Sequence, residues 1–356
     1  MRPPRRVLIL GASYGALLGT KLAAAGHHVT LVALPYEVDV INEDGCRVRM
    51  PVRGREGHVE IHSKALAGHV DAAAPDVAEP ARYDLIVLAM QEPQYRAPAI
   101  RRLLAAVAAS GRPVLSIMNM PPLPFLRRIA ALEGAPIEGC YADPSVWDAL
   151  DPSRVSHSSA DPQAFRPAGE PPNVLQVRLA TNFKAAPFAH AADQRLLEEI
   201  ADSIAGVRFS IDGDMCDLPI KLRPHRSLHV PLAKWPMLIA GSYRCLETEP
   251  IVSIREAVHR DLVAARAIYG EVAQICVALG ADRDDLVAFE RYAEAACSLE
   301  SPSSAMRALA AGAIHIERVD RLVKTIADHL GRPMPAAEAI VARIDALIAQ
   351  NRVEAA

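Results

Sequence analysis

The stretch VLILGASYGALLG, residues 7–19, decides how the rest of the chain is read. Apolar residues run directly into a glycine-spaced turn and then into Ala/Leu-rich sequence, the order of a buried strand, a phosphate-cradling loop and an opening helix. Such a turn asks for glycine where the backbone reverses tightly, a small residue where it nears a pyrophosphate, and another where helix meets strand. Gly11, Ser13 and Ala16 stand at those places, and Tyr14 lies within the turn beside them. Ser13 replaces the usual second glycine and adds a hydroxyl donor. The N–H groups of the first helical turn and the positive end of the helix dipole would face the phosphates. Downstream, Gly26 closes the helix, and HVTLV, residues 28–32, is a second strand at the distance a βαβ unit requires. That continuation sets aside a secretory leader, although MRPPRR is a basic start. The apolar run is also too short and too glycine-broken to span a membrane.

With 356 residues, 51% of them hydrophobic, the chain is long enough for two domains and can bury a sizeable core. A net charge of −3 supplies no basic field for nucleic acid and no polybasic membrane anchor. Aromatic residues, at 4%, are too few for base-stacking platforms. The six cysteines show no CxxC spacing, which fits reduced structural thiols in a cytoplasmic protein.

After the second strand comes ALPYEVDVINEDG, residues 33–45, where a dinucleotide fold reads the adenosine ribose. An acidic residue there suits NAD and a basic one the 2′-phosphate of NADP. Ala33, Leu34 and Pro35 occupy the place, Glu37 is near enough to serve, and Arg47, Arg49 and Arg53 could serve if the next segment folds back. Residues 46–61 alternate as a hairpin does. YDLIVLA, residues 83–89, reads as another buried parallel strand, residues 96–109 as an amphipathic helix, and residues 113–118 as the next strand. Gln91 and Asn119 each follow a strand, where ligands of open parallel sheets bind, although loop capping by their amides is the commoner role for such residues. Residues 143–172 read as a long surface loop. Strands at 174–180 and 207–211 flank a helix at 192–205. Strand patterning stops from Asp217 onward, and helical periodicity covers 252–279, 282–296, 303–330 and 336–349. The domains are therefore 1–212 and 213–356.

The segments LPIKLRPHRSLHVP (218–231), SSAMRALAAG (303–312) and GRPMP (331–335) resemble the ketopantoate reductase (2-dehydropantoate 2-reductase) family. The resemblance implies an α/β fold: a Rossmann-type parallel-sheet domain, then an all-α domain like the C-terminal part of 6-phosphogluconate dehydrogenase. The family's helical domain opens with a lysine followed by asparagines four and eight residues later, and Lys221, His225 and His229 match those places. Lys221 would thus be the catalytic lysine, Asn119 would lie beside nicotinamide and substrate, and Ser303 would bind the substrate carboxylate region. The family's glutamate falls on His315, its lysine beyond the third strand on Gln91, and its frequent arginine after the second strand on Leu34. The implied cofactor is NADPH, with NADH open, the substrate a small 2-oxo acid, and the assembly a homodimer.

Hydride delivery to a carbonyl leaves charge on oxygen, so a cation or general acid nearby lowers the barrier. Lys221 can act as an ammonium, and histidines such as His229 and His315 donate protons near neutral pH. His225 and His229, at i and i+4, also have metal-ligand spacing on a helix, but HRSLH lacks the glutamate of an HExxH site and no metal is assigned. Two rival readings remain. One is an opine-dehydrogenase-like reduction of an imine using His229 next to Pro231, and the other is a dinucleotide-binding protein without catalysis.

Overall fold

The computed structural model describes residues 3–159, 163–246 and 250–355. Its elements begin with β1 (Arg6–Leu10), α1 (Tyr14–Ala24), β2 (His28–Val32), α2 (Pro35–Asp44), β3 (Arg47–Met50), β4 (Val59–His62) and β5 (His69–Ala73). There follow β6 (Leu85–Leu88), α3 (Pro98–Ser110), β7 (Val114–Ser116), α4 (Leu123–Leu126), β8 (Val155–His157), β9 (Ala164–Phe165), β10 (Val174–Val177) and β11 (Thr181–Ala185). The series continues with α5 (Ala191–Ala205), β12 (Arg208–Ile211), β13 (Asp214–Asp217) and β14 (Ile220–Pro224). Helices complete the chain: α6 (Lys234–Ala240), α7 (Ile254–His259), α8 (Leu262–Ala278), α9 (Phe289–Ala296), α10 (Ser304–Ala310), α11 (Val319–His329) and α12 (Pro335–Glu354).

Two compact units emerge. The first runs to Arg226, apart from residues 91–93 and 126–144, which group with the second unit and everything from Ser227 on. In the first unit a six-stranded sheet has the order β5-β2-β1-β6-β7-β8, and every pairing in it is parallel. Continuous apolar strands such as LIVL in β6, buried at all four positions, are what a sheet covered on both faces demands. Strand order reverses between β1 and β6, so their carboxyl ends form the switch-point crevice of a doubly wound fold. The expected hairpin is β3–β4, which joins β10 and β9 in a second sheet of order β4-β3-β10-β9. A continuous core runs from β1, β2 and α1 through β3 and β10 to α5, β11 and β14.

Several elements differ from the sequence reading. The expected surface loop at 143–172 holds β8, the edge strand of the main sheet, and β9; residues 160–162 lie outside the described ones. Strand β8 is three residues long and set in polar sequence, DPSRVSHSS, without the apolar run that marks β7. Strand character does not stop at Asp217: β14 pairs in parallel with β11 through Ile220, Leu222 and their neighbours, and the sheet unit extends to Arg226 rather than Asp212. Segment 252–279 is two helices, because Asp261 caps a new one through its Oδ1 and the Ala264 N–H at 2.9 Å. Segment 303–330 likewise divides into α10 and α11.

Candidate functional site

The glycine turn lies at the switch point. Gly11 follows β1 with φ +116°, and its N–H donates to Val32 O at 3.1 Å. A Cβ there would come 2.8 Å from Met90 Cγ and 3.0 Å from Ala89 O, just beyond β6, so both backbone and space require glycine. Helix α1 has no acidic residue in its first turn, and its N-cap Ser13 makes no capping hydrogen bond, which leaves that hydroxyl uncommitted. These features fit a pyrophosphate: a cradle that a side chain would fill, first-turn N–H groups and an uncommitted hydroxyl. Close helix–strand packing falls on Gly15, not only on Ala16, since a Cβ on Gly15 would overlap Ile9 Cγ2. Tyr14 is half-buried and meets Phe183 edge-on at 6.2 Å.

At the end of β2 the chain turns directly into α2, with Leu34 as N-cap. Glu37 is buried, takes the Leu34 N–H on Oε2 at 3.0 Å and pairs through Oε1 with Arg166. Of the cations considered for a 2′-phosphate, Arg47 binds Glu60, and Arg49 binds Glu60 and Glu170. Gln91 leaves the β6 end within the segment that groups with the helical unit, and Asn119 lies three residues past β7; both are half-buried.

The helical reading of 218–231 is corrected by the structure. Lys221 is an exposed residue in the middle of β14, in the sheet unit, and His225 follows that strand, its N–H donating to Ala185 O at 2.8 Å. His229 begins a short 3-10 turn in the helical unit, so it shares no helix face with His225 and the i, i+4 metal geometry does not arise. Prolines at 224 and 231 bracket the segment and break any helix there. The His229 ring packs on Gly280, its backbone N–H donates to Ser227 Oγ at 3.1 Å, and Ser227 Oγ donates to Asp285 at 2.5 Å. Burial holds the His229 imidazole below its ordinary pKa against the opposing pull of Asp285. Among the described residues no group of three His, Cys, Asp or Glu is arranged to hold a metal.

The first α-helix of the helical unit starts at Lys234, a residue buried to 6% exposure within PLAKWPMLIA. A lysine so deeply buried is uncommon, and its desolvation must be compensated. Ser242, eight residues on, accepts from Ser303 Oγ at 2.9 Å through its backbone carbonyl. The next residue, Tyr243, donates to Glu317 O at 2.6 Å and accepts from Val319 N at 3.1 Å. Glu317 is itself buried, and its Oε1 accepts from the backbone N–H of Glu92 at 3.3 Å. Glu92 in turn accepts the Ala142 N–H at 3.1 Å. Ser303 and Glu317 are thereby tied to the segment that follows α6, whereas Lys221 and His225 belong to the other unit. His315 lines a separate cavity of about 390 Å³ with Tyr141, Arg318, Arg321, Asp345 and Arg352, a wall that includes neither His229 nor Ser303. Sequence reasoning missed Gly15, Lys234 and Glu317. The available signals were a second glycine inside the turn, a single cation in an apolar run, and an acid two residues after His315.

Fold and site together define a two-part protein, a Rossmann-type unit with a glycine turn at its switch point and a separate helical unit. Residues 7–120, which include that turn, match the family model described as ketopantoate reductase PanE/ApbA. No curated protein matches the chain. Three solved structures show the reach of the fold. A PanE/ApbA family ketopantoate reductase from Ralstonia eutropha JMP134 is 20% identical with TM-score 0.65, over 98% of this chain and 99% of that one. D-mandelate dehydrogenase, solved with NADH and anilino(oxo)acetate, is 14% identical with TM-score 0.64, over 98% and 99%. A dimeric ketopantoate reductase from Staphylococcus aureus is 10% identical with TM-score 0.55, over 97% and 99%.

Proposed function

We propose that this chain is a nicotinamide-dinucleotide-dependent reductase of a small 2-oxo acid. The observation that carries the reading is the Gly11 turn at the β1/β6 switch point, within the segment matched by the ketopantoate reductase family model. Gly11, Ser13 and the start of α1 would hold the pyrophosphate, with Gln91 and Asn119 toward the nicotinamide. When bound, the reduced nicotinamide supplies a hydride to the carbonyl carbon. The chain's own part is to hold the substrate and protonate the carbonyl oxygen.

For that task we take Lys234 in place of Lys221. A buried lysine at the start of the first α-helix after the sheet unit fits the pattern of a lysine opening the helical domain, with Leu238 and Ser242 at the places of its asparagines, and an ammonium sheltered from water stabilises a developing alkoxide more strongly than one in solvent. Ser303 and Glu317 would orient the carboxylate and carbonyl ends of the substrate. His229, wedged against Gly280 and below its ordinary pKa, suits a positioning role better than that of an obligatory acid, which weakens the imine-reducing alternative. The dimeric S. aureus neighbour and the free thiols make a cytoplasmic homodimer the expected form of this chain.

The test is loss of reduced-nicotinamide absorbance with NADH and NADPH in parallel, against ketopantoate and other 2-oxo acids, with and without amino acids. Turnover on an oxo acid alone is expected; turnover only with an amine would move the assignment to imine reduction. Lys234→Ala should lower kcat by about 10²- to 10⁴-fold, the usual worth of acid–base assistance. Lys221→Ala should remain within a few-fold of the parent, and the reverse order would return the role to Lys221.

A further inference from the structure

Resting on the dinucleotide reading above, we propose that this chain selects NADH over NADPH, and that Glu37 sets the choice by occupying Arg166, the cation that the fold brings to the start of α2. In a Rossmann-type unit the residues just beyond the second strand meet the adenosine ribose, and a 2′-phosphate there needs an unoccupied cation. The place is filled by Leu34 and Tyr36, 56% and 58% exposed, on either side of Pro35. Neither side chain carries the positive charge a 2′-phosphate needs, and both offer apolar surface to an adenosine.

Arg166, Arg47, Arg49 and Arg55 are already committed, whereas Arg53 is exposed in the β3–β4 connection. Arg166 comes from the segment after β9, 129 residues further along the chain, and its Nη1 pairs with Glu37 Oε1. Glu37 is held from the other side by the Leu34 N–H, so the carboxylate is fixed at the helix start and Arg166 is fixed to it. A dianionic 2′-phosphate arriving here meets a neutralised arginine and a carboxylate that cannot swing away without losing the cap. A ribose bearing only hydroxyls meets no such penalty. The basic residues of the neighbouring sheet are engaged too: Arg47 and Arg49 on Glu60 and Glu170, and Arg55 on Ile211 O at 2.8 Å and Asp214 at 2.7 Å. The Nε of Arg166 is buried with no hydrogen-bond partner among the described residues, so this arginine keeps donor capacity that only the Glu37 charge neutralises.

The experiment is equilibrium binding, read by nucleotide fluorescence and by the shift in melting temperature, with NADH and NADPH on the intact protein. The unmodified chain should bind NADH at least tenfold more tightly. Glu37→Gln removes the charge while keeping an amide oxygen for the cap, and should strengthen NADPH binding at least tenfold relative to NADH by releasing Arg166. Should that variant prove unfolded in its melting curve, Leu34→Arg at an exposed position serves instead: it supplies a new cation and should favour NADPH in a salt-sensitive manner. Equal or tighter NADPH binding by the unmodified chain overturns the proposal, including the case in which Arg53→Ala abolishes it. An unchanged NADH/NADPH ratio in Glu37→Gln overturns it as well. Binding of neither nucleotide would instead defeat the dinucleotide reading on which it rests.

Discussion

Gly15 and His157 show how single side chains constrain this molecule. A methyl group on Gly15 meets the branched, immobile Cγ2 of Ile9, so Gly15→Ala should destabilise the chain by about 1–3 kcal/mol, the usual cost of overpacking, and lower its melting temperature. An equally stable variant would show that α1 can lift from the sheet. His157 is fully buried at the end of β8, with Nδ1 3.2 Å from Ser116 Oγ and its ring 5.2 Å from Phe125. Burial pushes its pKa down to about 3. Between that value and the ordinary 6.5 the folded chain binds fewer protons at this site than the unfolded chain. Unfolding therefore takes up a proton, and the stability present above pH about 6.5 is lost as pH falls toward 3. His27 and His229, also lowered by burial, act in the same direction. Denaturant midpoints measured from pH 7 to 4 should fall more steeply for the parent than for His157→Phe; parallel curves would place the acid sensitivity elsewhere.

At the scale of elements, α10 separates a structural from a catalytic use of Ser303. Its hydroxyl caps the helix by accepting the Met306 N–H at 3.3 Å and donates to Ser242 O at 2.9 Å. Ser303→Ala should therefore cost about 1 kcal/mol of stability from the lost cap. Ser303→Thr, which keeps a hydroxyl cap, should restore most of it. A rise in KM that persists in the stability-rescued threonine variant would point to substrate contact, whereas recovery of both would assign Ser303 to the cap alone. The elements also mark where local pattern fell short. Strand β14 has the alternation of a half-buried strand, Ile220 and Leu222 in, Lys221 and Arg223 out, yet the same five residues accommodate a lysine-led helix start when read alone. Strand β8 is legible only beside β7, because its VSH lies in polar sequence without the apolar run that surrounds β7.

At the scale of the whole molecule, the six cysteines report how completely the two cores close. Cys46, Cys140, Cys245 and Cys276 are buried, Cys216 is half-exposed and Cys297 is exposed. Burial raises the thiol pKa of Cys46 to about 12 and moves those of Cys140 and Cys276 the same way, which suppresses the reactive thiolate. Titration with a thiol-specific disulfide reagent should give one fast equivalent from Cys297, a slower one from Cys216, and all six only after denaturation. Fast reaction of a third thiol would show that one core opens readily. The sequence by itself determined the parts written in local periodicity and backbone sterics: the apolar strands β1, β2, β6 and β7, the turn that only Gly11 can make, and the passage from parallel strands to helices. Those signals lie within a few residues of one another, so they survive without a partner in space. The tertiary structure alone decided that Lys221 faces solvent while Lys234 is buried, that Ser303 and Glu317 gather behind α6, and that Glu37 is held by Arg166. Each of these depends on a contact or on burial set by segments far apart in the chain, and no local pattern of residues encodes which distant group will supply it.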